Sequence, residues 1–161
     1  MITLEAVTAA NLDDALAVRV APEQEHLVRP VVRSLAEAYV NPGVAWPRLV
    51  VDDGVVVAFV MAFVDSTWDD DPADVRSGVW RLNVDRHHQG RGYGTFAVRA
   101  VCDELRGRGA AACHVTYHRG PGSPEPFYAR LGFVATGELS GDQTVARLAL
   151  DPLAAVDRRR S

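Results

Sequence analysis

The stretch Val79–Gly94, VWRLNVDRHHQGRGYG, decides how this chain reads. An apolar, strand-like run gives way to a glycine-dense loop, and the loop opens directly onto the amphipathic segment Thr95–Arg108. Strand, glycine-rich turn and helix in that order present bare backbone N–H groups to an anion. Gly90, Gly92 and Gly94 put no Cβ in the way of a close approach. The first helical turn adds the positive end of its dipole, and Arg91 adds a full charge. A phosphorylated ligand is the expectation.

Spacing narrows the kind of phosphate loop. A Walker A loop ends in Gly-Lys-Ser/Thr, and the chain has no lysine, every basic side chain being arginine. That removes the P-loop and also Schiff-base or lysine-nucleophile chemistry. A dinucleotide fingerprint can be drawn as Gly92-x-Gly94-x-x-Ala97, but the ribose-binding acid it needs about twenty residues on is absent from Val115–Arg119. Gln89-x-x-Gly92-x-Gly94 fits better, as the Q/R-x-x-G-x-G/A pattern. Downstream, Pro126-Phe127-Tyr128-Ala129-Arg130-Leu131-Gly132-Phe133 forms an F-Y-x-x-x-G-F segment closing a short helix. With one long helix and one strand between them, the two blocks resemble the signatures of the GNAT family of N-acetyltransferases, and the element order agrees over nearly the whole chain.

Length and composition set the frame. A chain of 161 residues, 48% hydrophobic and 24% charged, is ordinary for one globular domain, expected here over residues 1–152 with a short basic tail at 153–161. The formal charge of −4 argues against a nucleic-acid partner. MITLEAVTAA has no basic n-region, and no apolar run reaches membrane-spanning length, so a cytoplasmic protein without a membrane partner is expected. Cys102 and Cys113 lack metal or redox spacing, and no metal is expected. Arginine in place of every lysine, with abundant alanine, valine, aspartate and glycine, suggests a GC-rich bacterial genome.

Periodicity and punctuation predict a strand at 2–7, helices at 12–18 (Asn11 as cap), 22–27 and 31–40, and a β-hairpin of 48–52 and 55–65 through Asp53-Gly54. Residues 66–78 read as an acidic loop. Then follow a strand at 79–85, a helix at 94–108, a strand at 111–117, a loop at 118–124, a helix at 125–131 and a hairpin of 133–139 and 144–150. The fold class expected is α/β in the α+β sense, a mixed, mostly antiparallel sheet with helices on both faces. The resemblance implies that the parallel fourth and fifth strands, 79–85 and 111–117, splay apart to admit the pantetheine arm of acetyl-CoA.

The same resemblance implies roles for residues. Backbone amides of Gln89, Gly90, Arg91, Gly92, Tyr93, Gly94 and Thr95 would hold the CoA diphosphate. Backbone of Leu82, Asn83 and Val84 would pair with the pantetheine, with one N–H aimed at the thioester oxygen. Tyr128 would stand near the CoA sulfur as proton donor, since a phenol is protonated at neutral pH. Where polyamine acetyltransferases often carry a basic carboxylate, this chain has Trp80 and Arg81, so His118, or a water chain, is left as candidate base.

For the acceptor, Asp69-Asp70-Asp71, Asp74, Glu23, Glu25 and Glu37 suggest a carboxylate-rich rim that would favour a small cationic amine. The segments Gly122–Tyr128 and Ala21–Tyr39 are similar to bacterial diamine and spermidine/spermine acetyltransferases, and the resemblance leaves a homodimer open. Protein or aminoglycoside acetylation, a CoA-binding regulatory module without catalysis, and a dinucleotide-binding protein stand as alternatives.

Overall fold

The computed structural model describes residues 1–151, so the tail expected at 153–161 lies outside the described residues. The elements run β1 (Ile2–Ala6), α1 (Leu12–Ala17), a 3-10 turn (Pro22–Gln24), α2 (Val31–Val40), β2 (Ala45–Asp52), β3 (Val55–Trp68) and β4 (Asp71–Val84). They continue with α3 (Tyr93–Gly107), β5 (Ala112–Tyr117), α4 (Glu125–Arg130), β6 (Val134–Ser140) and β7 (Gln143–Ala149). All seven strands join one sheet in the order β1-β2-β3-β4-β5-β7-β6, antiparallel throughout except between β4 and β5.

Strand alternation sends side chains to two apolar layers. Leu49, Val51, Phe59 and Met61 face one way, where α1 and α2 cover them with Ala15, Val18 and Val31. Val50, Ala58, Val60, Val79 and Val115 face the other, under Val98, Val101 and Leu105 of α3 and Tyr128 of α4. Periodicity lays α3 there: its buried positions, 93, 97, 98, 101, 102 and 105, repeat at helical spacing.

Three local expectations are corrected. Residues 66–78 are not a loop: β3 and β4 continue through them as a long arm, turning at Asp69 and Asp70. Aspartate is poor strand material, but it tolerates left-handed backbone better than most residues. Both turn residues have positive φ, +50° and +58°, as a tight hairpin turn requires. Residues 22–27 form only a 3-10 turn over Pro22–Gln24. Asn11 precedes α1 but does not cap it with its side chain. The side chain instead closes the preceding turn, its Nδ2 donating to Ala6 O (2.9 Å) and its Oδ1 accepting from Thr8 N–H (2.7 Å).

The seam between β4 and β5 positions the site. These strands pair at one rung only, Gly78 with His114. A Cβ on Gly78 would lie 1.9 Å from the His114 carbonyl oxygen, so only glycine permits this approach. No strand pairs with the β5-facing edge of residues 79–84, and the strands diverge from the rung onward. A bulge lies just past it. Met61 pairs with Arg81 and Ala62 with Val79, leaving Trp80 as the extra residue.

Candidate active site

The diverging strands open a cleft of about 1390 Å³ that runs from the rung to the glycine loop. Gln89, Gly90, Gly92, Tyr93, Gly94 and Thr95 line its loop end. Gly90 and Gly92 have φ of +75° and +86°, backbone that few side chains accept, and Gly92 stands at the N-cap of α3. The first bond of that helix is Phe96 N–H to Gly92 O (3.0 Å), and among the described residues no amide of 89–95 donates to a backbone carbonyl. A run of free N–H groups at a helix N-terminus suits a diphosphate.

The loop is held from below. Gln89 Nε2 donates to Val84 O (3.1 Å) and to Gln24 Oε1 (2.7 Å), tying the loop to the end of β4 and to the 3-10 turn. Asp85 accepts from His87 N–H (3.0 Å) and Arg19 N–H (3.2 Å) and faces His88 Nδ1 (3.2 Å). The Tyr93 side chain leaves the loop for the core and bonds Asp52, and Arg91 is exposed.

Along β4, Leu82 and Val84 line the cleft, whereas the Asn83 side chain points to the opposite face. There it is 2% exposed and donates from Nδ2 to Arg29 O (3.0 Å). The main-chain edge of these three residues faces the gap, free of any strand partner. Such an edge can accept an extended amide-bearing chain.

Tyr128 lines the cleft opposite β4. Its ring stacks on Tyr117 (centroids 6.0 Å apart) and meets Phe127 and Phe133 edge-on at 5.0 and 5.4 Å. Burial, and then the Cys113 thiol, push its phenol far above the usual tyrosine range. α4 presents it there because Gly132, with φ of +98°, ends the helix and Phe133 N–H returns to Tyr128 O (3.1 Å). His118 stands at the cleft rim, half exposed, its Nε2 3.1 Å from Gln143 Nε2 and its Nδ1 3.7 Å from Asp142.

The structure brings Tyr128, His118, Leu82, Val84 and most of the loop onto one cleft. It does not bring the acidic run there. Asp69, Asp70, Asp71 and Asp74 are absent from the cleft wall, and Asp74 is paired with Arg76 (2.8 Å), which also binds Glu138 (2.8 Å). Three features escaped the sequence reading. Gly78 carried a signal, since glycine inside a strand marks close backbone approach. Asn83 as a brace for Arg29, and the Trp68 wall on the long arm, join residues too distant in the chain to leave one.

The family model described as "Acetyltransferase (GNAT) family" matches residues 12–133. No curated protein sequence matches the chain. Among solved structures, it is similar to an acetyltransferase from Thermus thermophilus, with TM-score 0.70 and 20% identity over 92% of this chain and 97% of that one. It is also similar to the PaiA N-acetyltransferase of Thermoplasma acidophilum in complex with coenzyme A (TM-score 0.66, 11% identity, 92% and 99% covered). A third is a GNAT family acetyltransferase of Brucella melitensis in complex with acetyl-CoA (TM-score 0.61, 16% identity, 94% and 90% covered). At such identities these structures speak for the fold, and the family model speaks for the lineage. With open amides at 89–95, an unpaired β4 edge and a buried phenol across the gap, the residues present fit acetyl-CoA, and the chain belongs to the GNAT family as an acetyl-CoA-dependent N-acetyltransferase.

Proposed function

We propose that this enzyme acetylates a small primary amine by direct attack on the thioester, with Tyr128 as proton donor to the departing thiolate. Bound acetyl-CoA supplies an activated acyl carbon, and amine attack forms the C–N bond while the C–S bond breaks. The amides of residues 89–95 hold the diphosphate, the free edge of Leu82–Val84 aligns the pantetheine, and one main-chain N–H of that edge polarises the thioester oxygen. Donors of that kind are worth about 3 kcal/mol. The proton lost by the amine passes to His118 through water at the cleft rim.

The observation that carries this reading is the Tyr128 phenol, apposed to the open β4 edge inside the cleft. The phenol is protonated at neutral pH and so can hydrogen-bond to the departing thiolate or donate to it, which a carboxylate at the same place would not do. It also weighs against a CoA sensor without catalysis, which has no use for a buried acid at that place. Tyr128→Phe tests it. Turnover should fall by about 100-fold with acetyl-CoA affinity unchanged by calorimetry; unchanged turnover removes the role.

The similarity of Gly122–Tyr128 and Ala21–Tyr39 to diamine and spermidine/spermine acetyltransferases supports a cationic acceptor. The acidic residues offered for it do not reach the cleft wall, apart from Glu25. Their contribution is therefore left out of this reading, which commits to the amine and not to its charge. A cytoplasmic location belongs to the proposal, supported by two buried thiols that are not bonded to each other. Among the described residues no helix is long and apolar enough to cross a membrane.

A further inference from the structure

The side of the cleft facing α2 is positive. Of the charged residues on the cleft wall, Arg29, Arg81 and Arg130 are cations and Glu25 is the one carboxylate among the described residues. Arg130 rides on α4, on the cofactor side. The bulge sends Arg81 the other way: Trp80 and Arg81 fall on the same face, and Arg81 Nη2 reaches Glu37 Oε2 on α2 at 3.1 Å. Glu37 is already held by Arg33 (2.8 Å), so it does not neutralise Arg81 alone. Arg29 adds a further positive charge, its backbone fixed by the Asn83 amide. Burial chiefly, and then the like charges of Arg29 and Arg33, lower the Arg81 guanidinium against the pull of Glu37.

Arg81 has donors to spare. One Nη1 hydrogen goes to Trp80 O (3.1 Å) and one Nη2 hydrogen to Glu37, while Nε is sealed from solvent with no partner. The second hydrogen on each Nη has no protein acceptor among the described residues, and Arg81 lines the cleft. The aromatic walls repeat the pattern: the Arg81 guanidinium lies 5.4 Å from the Trp80 ring, and that of Arg76 lies 4.6 Å from the Trp68 ring. A cation seeking an aromatic face meets like charge at both. Nor is this charge placed for the cofactor phosphates. From Arg81 to the end of β4 is about 10 Å of strand, and the side chain lies on the face away from α3.

We infer that the acceptor is an amine that also carries a carboxylate, bound by Arg81 and Arg29, with its apolar part against Phe63 and Trp68. This rests on the acetyl-transfer reading above. Arg81 and Arg29 are then specificity residues for the acceptor: they select the molecule by its anion, while its neutral nitrogen faces the thioester.

Matched pairs test it: phenylalanine against phenethylamine, and leucine against isoamylamine, with spermidine as the cationic comparison, all assayed by thiol release from acetyl-CoA. The carboxylate-bearing member should be preferred in kcat/KM by roughly tenfold or more. In Arg29→Gln and Arg81→Gln that ratio should collapse through KM, with acetyl-CoA affinity unchanged, and Arg81→Lys should restore part of it. Preference for spermidine or for the decarboxylated amines overturns the inference and leaves acetyl transfer intact. If no amine turns over, acetyl transfer to small amines fails, and calorimetry on the CoA-loaded protein still decides the carboxylate site. N-acetylphenylalanine should bind and N-acetylphenethylamine should bind at least about tenfold more weakly; equal affinities overturn it.

Discussion

At residues 89–95 the cleft is walled by main chain, whereas around residues 78–81 it is walled by side chains and by their absence. The loop end needs only glycines, a helix start and two braces, Gln89 and Asp85, to leave its amides free. The rung end needs a glycine against a neighbouring backbone, a bulge that turns two successive residues to one face, and arginines supported from α2. In the proposed reading the backbone cradle takes the diphosphate. A side-chain wall can change with each substitution, and the proposed acceptor site lies there.

The comparison can be broken first at Gly78. Gly78→Val should cost about 3 kcal/mol or more, because the new Cβ meets backbone that cannot move aside. Thermal unfolding should show a large fall in Tm, and a wild-type Tm would mean that the rung is not a contact. Gly92→Asp strikes the other end. Nothing lies within 4 Å of a Cβ there and aspartate tolerates positive φ, so the fold should persist. A carboxylate beside the amides should weaken acetyl-CoA binding by on the order of 100-fold; tight binding by calorimetry would separate the loop from the diphosphate. Smaller again, His118→Ala should lower turnover by less than Tyr128→Phe does, and unchanged turnover assigns the proton to water alone.

The least effect is expected at the arm. Arg76 chiefly, by hydrogen bonding, holds the carboxyls of Asp74 and Glu138 below their usual range. A depressed folded value means stability that is present above the ordinary carboxylate pKa and is lost as pH falls through the folded one. Glu138→Gln should therefore narrow the gap in Tm between neutral and acid solution slightly. An identical acid profile in the variant would show that the pair adds nothing to holding the arm against β6.

The same division governs what could be read from the chain. The loop was legible because its signal is local: three glycines, a strand before and a helix after, within sixteen residues. Helix α3 and the hairpin at Asp53-Gly54 were legible for the same reason. The rung end was not. The arm at 66–78 hid behind an aspartate run whose turn-forming capacity outweighed its poor strand propensity. The bulge at Trp80 exists only relative to β3, and the Arg81–Glu37 pair joins residues 44 positions apart. The acidic residues looked like an acceptor rim by their number, but Asp74 and Glu37 direct their charge to neighbouring arginines.

A sheet whose two parts share one rung need not vary as a whole. Strands β1–β4 keep their ladder among themselves, and β5, β7 and β6 keep theirs, with α3 laid across both. Residues 112–150 can thus be exchanged for the corresponding piece of a relative while disturbing few backbone pairings, provided that glycine stays at 78. In this architecture the piece that carries Tyr128 and His118 is open to recombination, while the wall around residues 78–81 changes by point mutation.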